Sequence, residues 1–143
     1  MVNSKALPMD NLTGEDTEVF EENIKMFHFI VNGLSHFLTL WIIHKHTEIY
    51  GYGIMKELNL FLDCEKGCCV KKFSSSKIYP LLKKMENANL IEGKWKRKNN
   101  KQIKSYKTTQ KGELLISNIL TKVSSFKENE QWKLLLDEIE SKK

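Results

Sequence analysis

Phe20, Ile24, Phe27 and Val31 recur at helical spacing across 17–31, behind carboxylates at Glu18, Glu21 and Glu22 that suit the positive end of a helix. Asn32-Gly33 reads as the stop of this helix. A second helix is predicted from Leu34 to His46, with Leu34, Phe37, Leu38 and Trp41 on one face and Leu40, Ile42 and Ile43 widening it. After a turn at the glycines of YGYG, Ile54, Leu58, Phe61 and Leu62 mark a third helix over 50–62. Residues 63–73 are polar and read as a linker.

Ile78, Leu81, Leu82 and Met85 then follow the i, i+3, i+4, i+7 template of a fourth helix. Pro80 belongs in a first turn, which makes Ser75 or Ser76 the predicted N-cap and places the helix end near 87–89. Ile91, Gly93 and Trp95 alternate with charged residues as a half-buried strand, Asn99-Asn100 forms a turn, and Ile103–Thr108 returns as its partner. Thr109 caps a last helical region in which Leu115, Ile119, Val123 and Phe126 form a stripe. Leu135, Leu136 and Ile139 continue it with a phase shift near Ser124-Ser125, and a stripe this long calls for a partner helix. Three helices followed by a charged hairpin are the order of a winged helix-turn-helix. The expected fold class is mainly α with a small β-hairpin, with N- and C-terminal helical extensions for dimerisation.

Charge changes the picture most. Residues 71–111 carry 13 basic and 2 acidic side chains, whereas the 143-residue chain as a whole is only +5. Solubility needs interspersed signs; a one-sided block raises the potential along one surface and attracts a polyanion. In the winged arrangement the N-terminal part of the fourth helix, 75–88, enters the major groove. Ser74, Ser75, Ser76, Lys77 and Tyr79 are then expected at the DNA, with Lys83 and Lys84 toward phosphates. Lys94, Lys96, Arg97, Lys98, Lys101 and Lys104 line the hairpin, 94–104, on the backbone or minor groove. Arg97 is the only arginine among 23 basic residues, and narrow A·T-rich minor grooves attract arginine.

The strings GYGIMKEL, SSSKIYPLLKKMENANLIEGKW and SYKTTQKGELLI resemble the PadR family of transcriptional regulators over roughly 34–116. The resemblance implies a homodimeric DNA-binding regulator, and it implies that Tyr79 sits at the DNA surface. The chain departs from the family pattern at Thr108, where a hydrophobic residue is common, at Asn89, where a glycine is common, and in its cysteine-bearing linker. The expected division is a flexible tail over 1–16, an N-terminal helix and dimer arm over 17–32, a winged-helix domain over 33–109 and a dimerisation region over 110–143.

The remaining candidates are weaker. Cys64, Cys68 and Cys69 match no standard zinc spacing and have no nearby histidine, so incidental thiols or a local crosslink are favoured over metal sensing. His28 and His36 are expected to be packed, and His44 and His46 do not share a helix face. With no phosphate loop, HExxH, GxSxG or paired-carboxylate motif, neither catalysis nor a cofactor or metal is expected. The apolar run 27–43 is a poor membrane span and no signal peptide stands out, so a cytoplasmic protein is expected. The function these features support is a regulator, a repressor, on a pseudo-palindromic A·T-rich operator, with a small-molecule effector left open. The competing reading is a winged-helix protein-interaction adaptor without DNA.

Overall fold

A computed structural model of the chain describes residues 14–61 and 73–142. The three cysteines and most of the linker lie outside the described residues, as does the expected tail up to residue 13.

The first helix, α1, runs unbroken over Gly14–Lys45 and replaces the two helices expected on either side of Asn32-Gly33. The apolar positions 20, 24, 27, 31, 34, 38 and 41 alternate in steps of four and three through that dipeptide, so the helical phase never changes. A mid-helix glycine costs only about 1 kcal/mol against alanine, which is too little to stop a helix held elsewhere. The face α1 buries also differs from the expected one. Ser35, Thr39, Leu40, Ile42 and Ile43 are buried, while Leu34 remains 47% exposed. The expected stripe is thus turned partly away from the core, although Trp41 meets Phe61 edge-on at 5.9 Å.

A short strand, β1 (Ile49–Tyr50), leads directly into α2 (Gly51–Phe61). The fourth predicted helix is α3 (Ser75–Asn87), and the hairpin consists of β2 (Ile91–Lys98) and β3 (Lys101–Thr108). The sheet has three strands rather than two, in the order β1-β3-β2, because Ile49 and Tyr50 pair antiparallel with Tyr106 and Ser105. Two residues are too few to show an alternating pattern, so β1 carries no periodic signature.

The core lies where these elements meet: Ile42 and Ile43 from α1, Ile54 and Leu58 from α2, Ile78, Leu82 and Met85 from α3, and Ile91 and Tyr106 from the sheet. Ile116 is the core contribution of α4 (Gln110–Ser125). A 3₁₀ turn (Phe126–Glu128) then separates α4 from α5 (Glu130–Glu140), which places the phase shift of the sequence at a real break. Phe126 stacks on Trp132 at 4.7 Å across this turn, and Asn129 caps α5 through the amides of Gln131 and Trp132. No residue of α5 is buried, and Val123, Leu135, Leu136 and Ile139 stay between 45% and 58% exposed.

Candidate nucleic-acid interface

Two elements present the cationic block, and each is tied down at its base. Asn59 on α2 exchanges two hydrogen bonds with Phe73: its amide donates to the Phe73 carbonyl at 3.0 Å and its oxygen accepts from the Phe73 amide at 2.7 Å. This fixes the chain just before α3. The N-cap is Ser74, one or two residues earlier than predicted; its backbone is extended and its carbonyl accepts from Lys77 and Ile78 at 3.0 Å each. Its hydroxyl bonds Ser76 at 2.7 Å rather than the helix amides. Pro80 therefore sits in the second turn of α3, not the first. The carbonyl it leaves without a backbone donor is that of Ser76, on an exposed residue where water can serve it.

The far end of α3 explains two of the motif residues. Asn89 adopts φ 60°, and the amides of Asn89 and Leu90 bond the carbonyls of Glu86 (2.9 Å) and Met85 (3.0 Å), a Schellman ending. Asparagine is the next best residue to glycine in that left-handed position, so the departure at Asn89 leaves the helix end intact. Thr109 then joins α3 to α4. Its hydroxyl donates to the Asn89 carbonyl at 2.6 Å and accepts from the Gly112 amide at 3.0 Å, and the Lys111 ammonium donates to the Ala88 carbonyl at 2.8 Å. A Cβ on Gly112 would strike the Leu90 carbonyl, so TTQKG works as a clamp between the two helices. Spacing and composition gave no hint of that contact.

The wing turns at Asn99 (φ 52°) and Asn100 (φ 63°), the pair of positive φ values a two-residue type I′ turn requires. Strand register then sets Lys98 directly opposite Lys101 and Arg97 opposite Gln102. Like charges facing each other destabilise a hairpin. Trp95, expected to be half-buried, is 66% exposed because the wing projects beyond the core.

The predicted site residues separate into two groups. Ser74, Ser75, Ser76 and Lys77 occupy the exposed start of α3, and Lys83 and Lys84 lie exposed further along it. Lys83, Lys84, Lys94, Arg97, Lys98 and Lys101 have no ion pair with a described residue, although Lys98 stands 5.6 Å over the Tyr50 ring and Lys77 stands 5.8 Å over that of Phe73. Lys96 and Lys104 are instead held by acids. Lys96 binds Glu48 closely, and the Glu48 carboxylate holds its ammonium above the ordinary lysine range. Lys104 reaches Glu86 at 2.8 Å, linking wing to helix. Tyr79 is 48% exposed, and its phenol leans on α2 at Gly51, where a Cβ would come within 2.9 Å of the ring. Tyr79 is thus packed along one edge and open along the other.

Two histidines act as ties, while the His28 side chain lies outside the described residues. His44 at the end of α1 bonds Glu113 on α4 at 2.7 Å, and Lys45 and the following His46 both bond Glu57 on α2, at 2.8 and 2.6 Å. His36, expected to be packed, is exposed. Burial alone would raise the Glu57 carboxyl, but hydrogen bonds from Lys45 and His46 outweigh it and leave it below its ordinary value. For Glu113 the bond from Thr108 dominates and also lowers it, aided by His44. Burial pushes the Tyr106 phenol up to about 12, with Glu86 and Tyr79 adding to the effect. Among the described residues no cluster of three His, Cys, Asp or Glu could hold a metal, and no helix is long and apolar enough to cross a membrane.

The sequence model of the transcriptional regulator PadR-like family matches residues 39–118, from the second half of α1 through α3 and the hairpin into α4. The chain belongs to the PadR-like family. Among solved structures, a PadR-like transcriptional regulator from Bacillus cereus is 29% identical, with 70% of this chain and 93% of that one covered at a TM-score of 0.53. A PadR family transcriptional regulator from Eggerthella lenta shares the fold at 20% identity and a TM-score of 0.61, over 87% of this chain and 95% of that one. No curated protein matches the sequence. Membership confirms the winged helix-turn-helix with helical extensions, and the family match starts within α1.

Proposed function

We propose that this PadR-like protein is a sequence-specific double-stranded DNA-binding transcriptional regulator, a repressor, that binds a pseudo-palindromic A·T-rich operator as a homodimer. The observation that carries the proposal is the unneutralised face: Lys83 and Lys84 on α3, with Lys94, Arg97, Lys98 and Lys101 on the wing, have no acidic partner among the described residues. The Lys98–Lys101 pair at the wing tip costs the free protein stability, and a phosphate between them would relieve it. An interaction adaptor has no need of such a surface.

In this assignment Ser74, Ser75, Ser76, Lys77 and Tyr79 approach the major groove, and Lys83 and Lys84 approach phosphates. Lys94, Lys96, Arg97, Lys98, Lys101 and Lys104 form the wing face, with Lys96 and Lys104 already balanced by acids. Arg97, beside the turn, reaches the minor groove flanking each half-site. The apolar face of α4 and α5, 45–58% exposed at Val123, Leu135, Leu136 and Ile139, supports self-association through the C-terminal region. Two-fold symmetry then spaces the α3 helices about one DNA turn, roughly 34 Å, apart. Repression follows from occlusion of a promoter by a dimer whose described surfaces serve DNA and self-association.

Selection of bound fragments from random duplex DNA tests the proposal directly. A two-fold symmetric A·T-rich consensus is expected, with affinity falling about 10³- to 10⁵-fold between 50 and 200 mM salt for six to ten phosphates per dimer. Failure to retain any duplex at low salt refutes it.

A further inference from the structure

A cleft of about 500 Å³ separates α3 from the wing, with Tyr79 and Lys83 on the helix side, Trp95 and Gln102 on the wing side, and Tyr52 at the start of α2. Three of its walls are large aromatic rings left open: Tyr52 is 68% exposed, Trp95 66% and Tyr79 48%. Solitary exposed aromatics are ordinary, but three around one concavity mark a contact surface. Glu86 is the one carboxylate among the lining residues, and Lys104 neutralises it at 2.8 Å. The same ammonium stands 5.6 Å from the Trp95 ring and 5.6 Å from that of Tyr106, so one lysine both cancels the acid and backs the tryptophan. Lys83 remains as the unpaired cation of the cleft.

We infer that this cleft seats one strand of the DNA backbone, with deoxyribose against the Trp95 and Tyr52 rings and a phosphate at Lys83. The inference rests on the DNA-binding reading above and adds to it a contact outside the cationic set. If α3 lies in the major groove and the wing tip reaches the neighbouring minor groove, the strand dividing those grooves must cross between helix and wing, where the cleft lies. The open walls decide against an enclosed small ligand, because such sites bury 70–90% of their occupant. A strand passing through needs only a trough. Hydroxyl donors on Tyr52 and Tyr79 and the Gln102 amide suit phosphate oxygens.

Sugar–aromatic contact and phosphate contact differ in salt response, since only the latter releases counterions. The test measures anisotropy of a labelled random-sequence 24-base-pair duplex with the full chain across a salt series. Trp95→Ala and Tyr52→Ala are each expected to weaken binding about tenfold, the factor for losing roughly 60 Å² of apolar contact, with the slope of log affinity against log salt unchanged. Lys83→Ala is expected to lower that slope by about 1 per subunit contact. Acrylamide quenching of tryptophan emission should fall when the duplex is added, and that protection should be absent in Trp95→Phe. Wild-type binding by both aromatic variants overturns the seat while the DNA-binding reading stands. A changed salt slope in Trp95→Ala means that the ring acts only by holding Lys104, and also overturns it. If the wild-type chain binds no duplex, the DNA-binding reading itself fails, and the seat fails with it.

Discussion

Replacing Gly112 with alanine adds one methyl group at the closest backbone approach made by any described glycine. The new Cβ would collide with the Leu90 carbonyl oxygen and stand 3.1 Å from its carbon and 3.5 Å from its Cα, all of them main-chain atoms. That carbonyl cannot withdraw freely, because it accepts from the Thr109 amide at 3.1 Å while the Leu90 amide donates to Met85 at 3.0 Å. Overpacking costs about 1–3 kcal/mol and loosening one or two hydrogen bonds about 1 kcal/mol each, against a gain of about 1 kcal/mol from the better helix former. The balance is a loss of about 1–4 kcal/mol, or roughly 3–12 °C in Tm for a chain of this size. Gly33→Ala provides the opposite sign. It has nothing within 4 Å and should gain about 0.5–1 kcal/mol. Thermal unfolding followed by circular dichroism at one fixed protein concentration compares the three chains. A Gly112→Ala variant that melts at or above wild type would refute the clamp.

Thr39 has a fully buried hydroxyl with no hydrogen-bond partner, so Thr39→Val should raise stability by about 1 kcal/mol in urea titration. The carboxyls of Glu57 and Glu113 lie below their ordinary values in the folded chain, so the stability they add is complete above the usual carboxylate range and disappears as the pH drops through the lowered values. Glu57→Gln should therefore melt below wild type at pH 7, with the gap closing as the pH falls below the ordinary carboxylate range. Arg97→Ala should weaken binding to A·T-flanked sites more than to G·C-flanked ones in competition assays; equal losses would remove the minor-groove role. Leu135→Glu together with Ile139→Glu should shift the protein toward monomer in sedimentation velocity, since both side chains are about half exposed on α5.

The parts of the fold that were legible from sequence are those in which local chemistry and burial agree. Ile78, Leu81, Leu82 and Met85 are all buried as their spacing predicts, the Asn-Asn turn has the required φ values, and Thr109 caps α4. Misreadings arose where long-range contacts override local signals. Asn32-Gly33 looks like a stop but lies within an unbroken apolar phase, and Pro80 is tolerated in the second turn because the carbonyl it strands is exposed. Of the site, the cationic residues were readable as a block, but their pairing was not. Glu48 lies 48 positions before Lys96, and Glu86 lies 18 before Lys104, separations that no periodicity reports. Asn59, Tyr52 and Gly112 likewise act through neighbours that only the folded chain supplies.

The crowding of ammonium groups at the tip of the β2–β3 ribbon has an outcome for how the molecule answers its medium. Dissolved ions soften the mutual repulsion of Lys98 and Lys101 and so help the ribbon keep its shape. The same ions compete for the polyanion that those groups would attract. Raising ionic strength should thus steady the ribbon tip while loosening its grip, and the two responses, measured side by side, would separate what folding asks of these residues from what recognition asks.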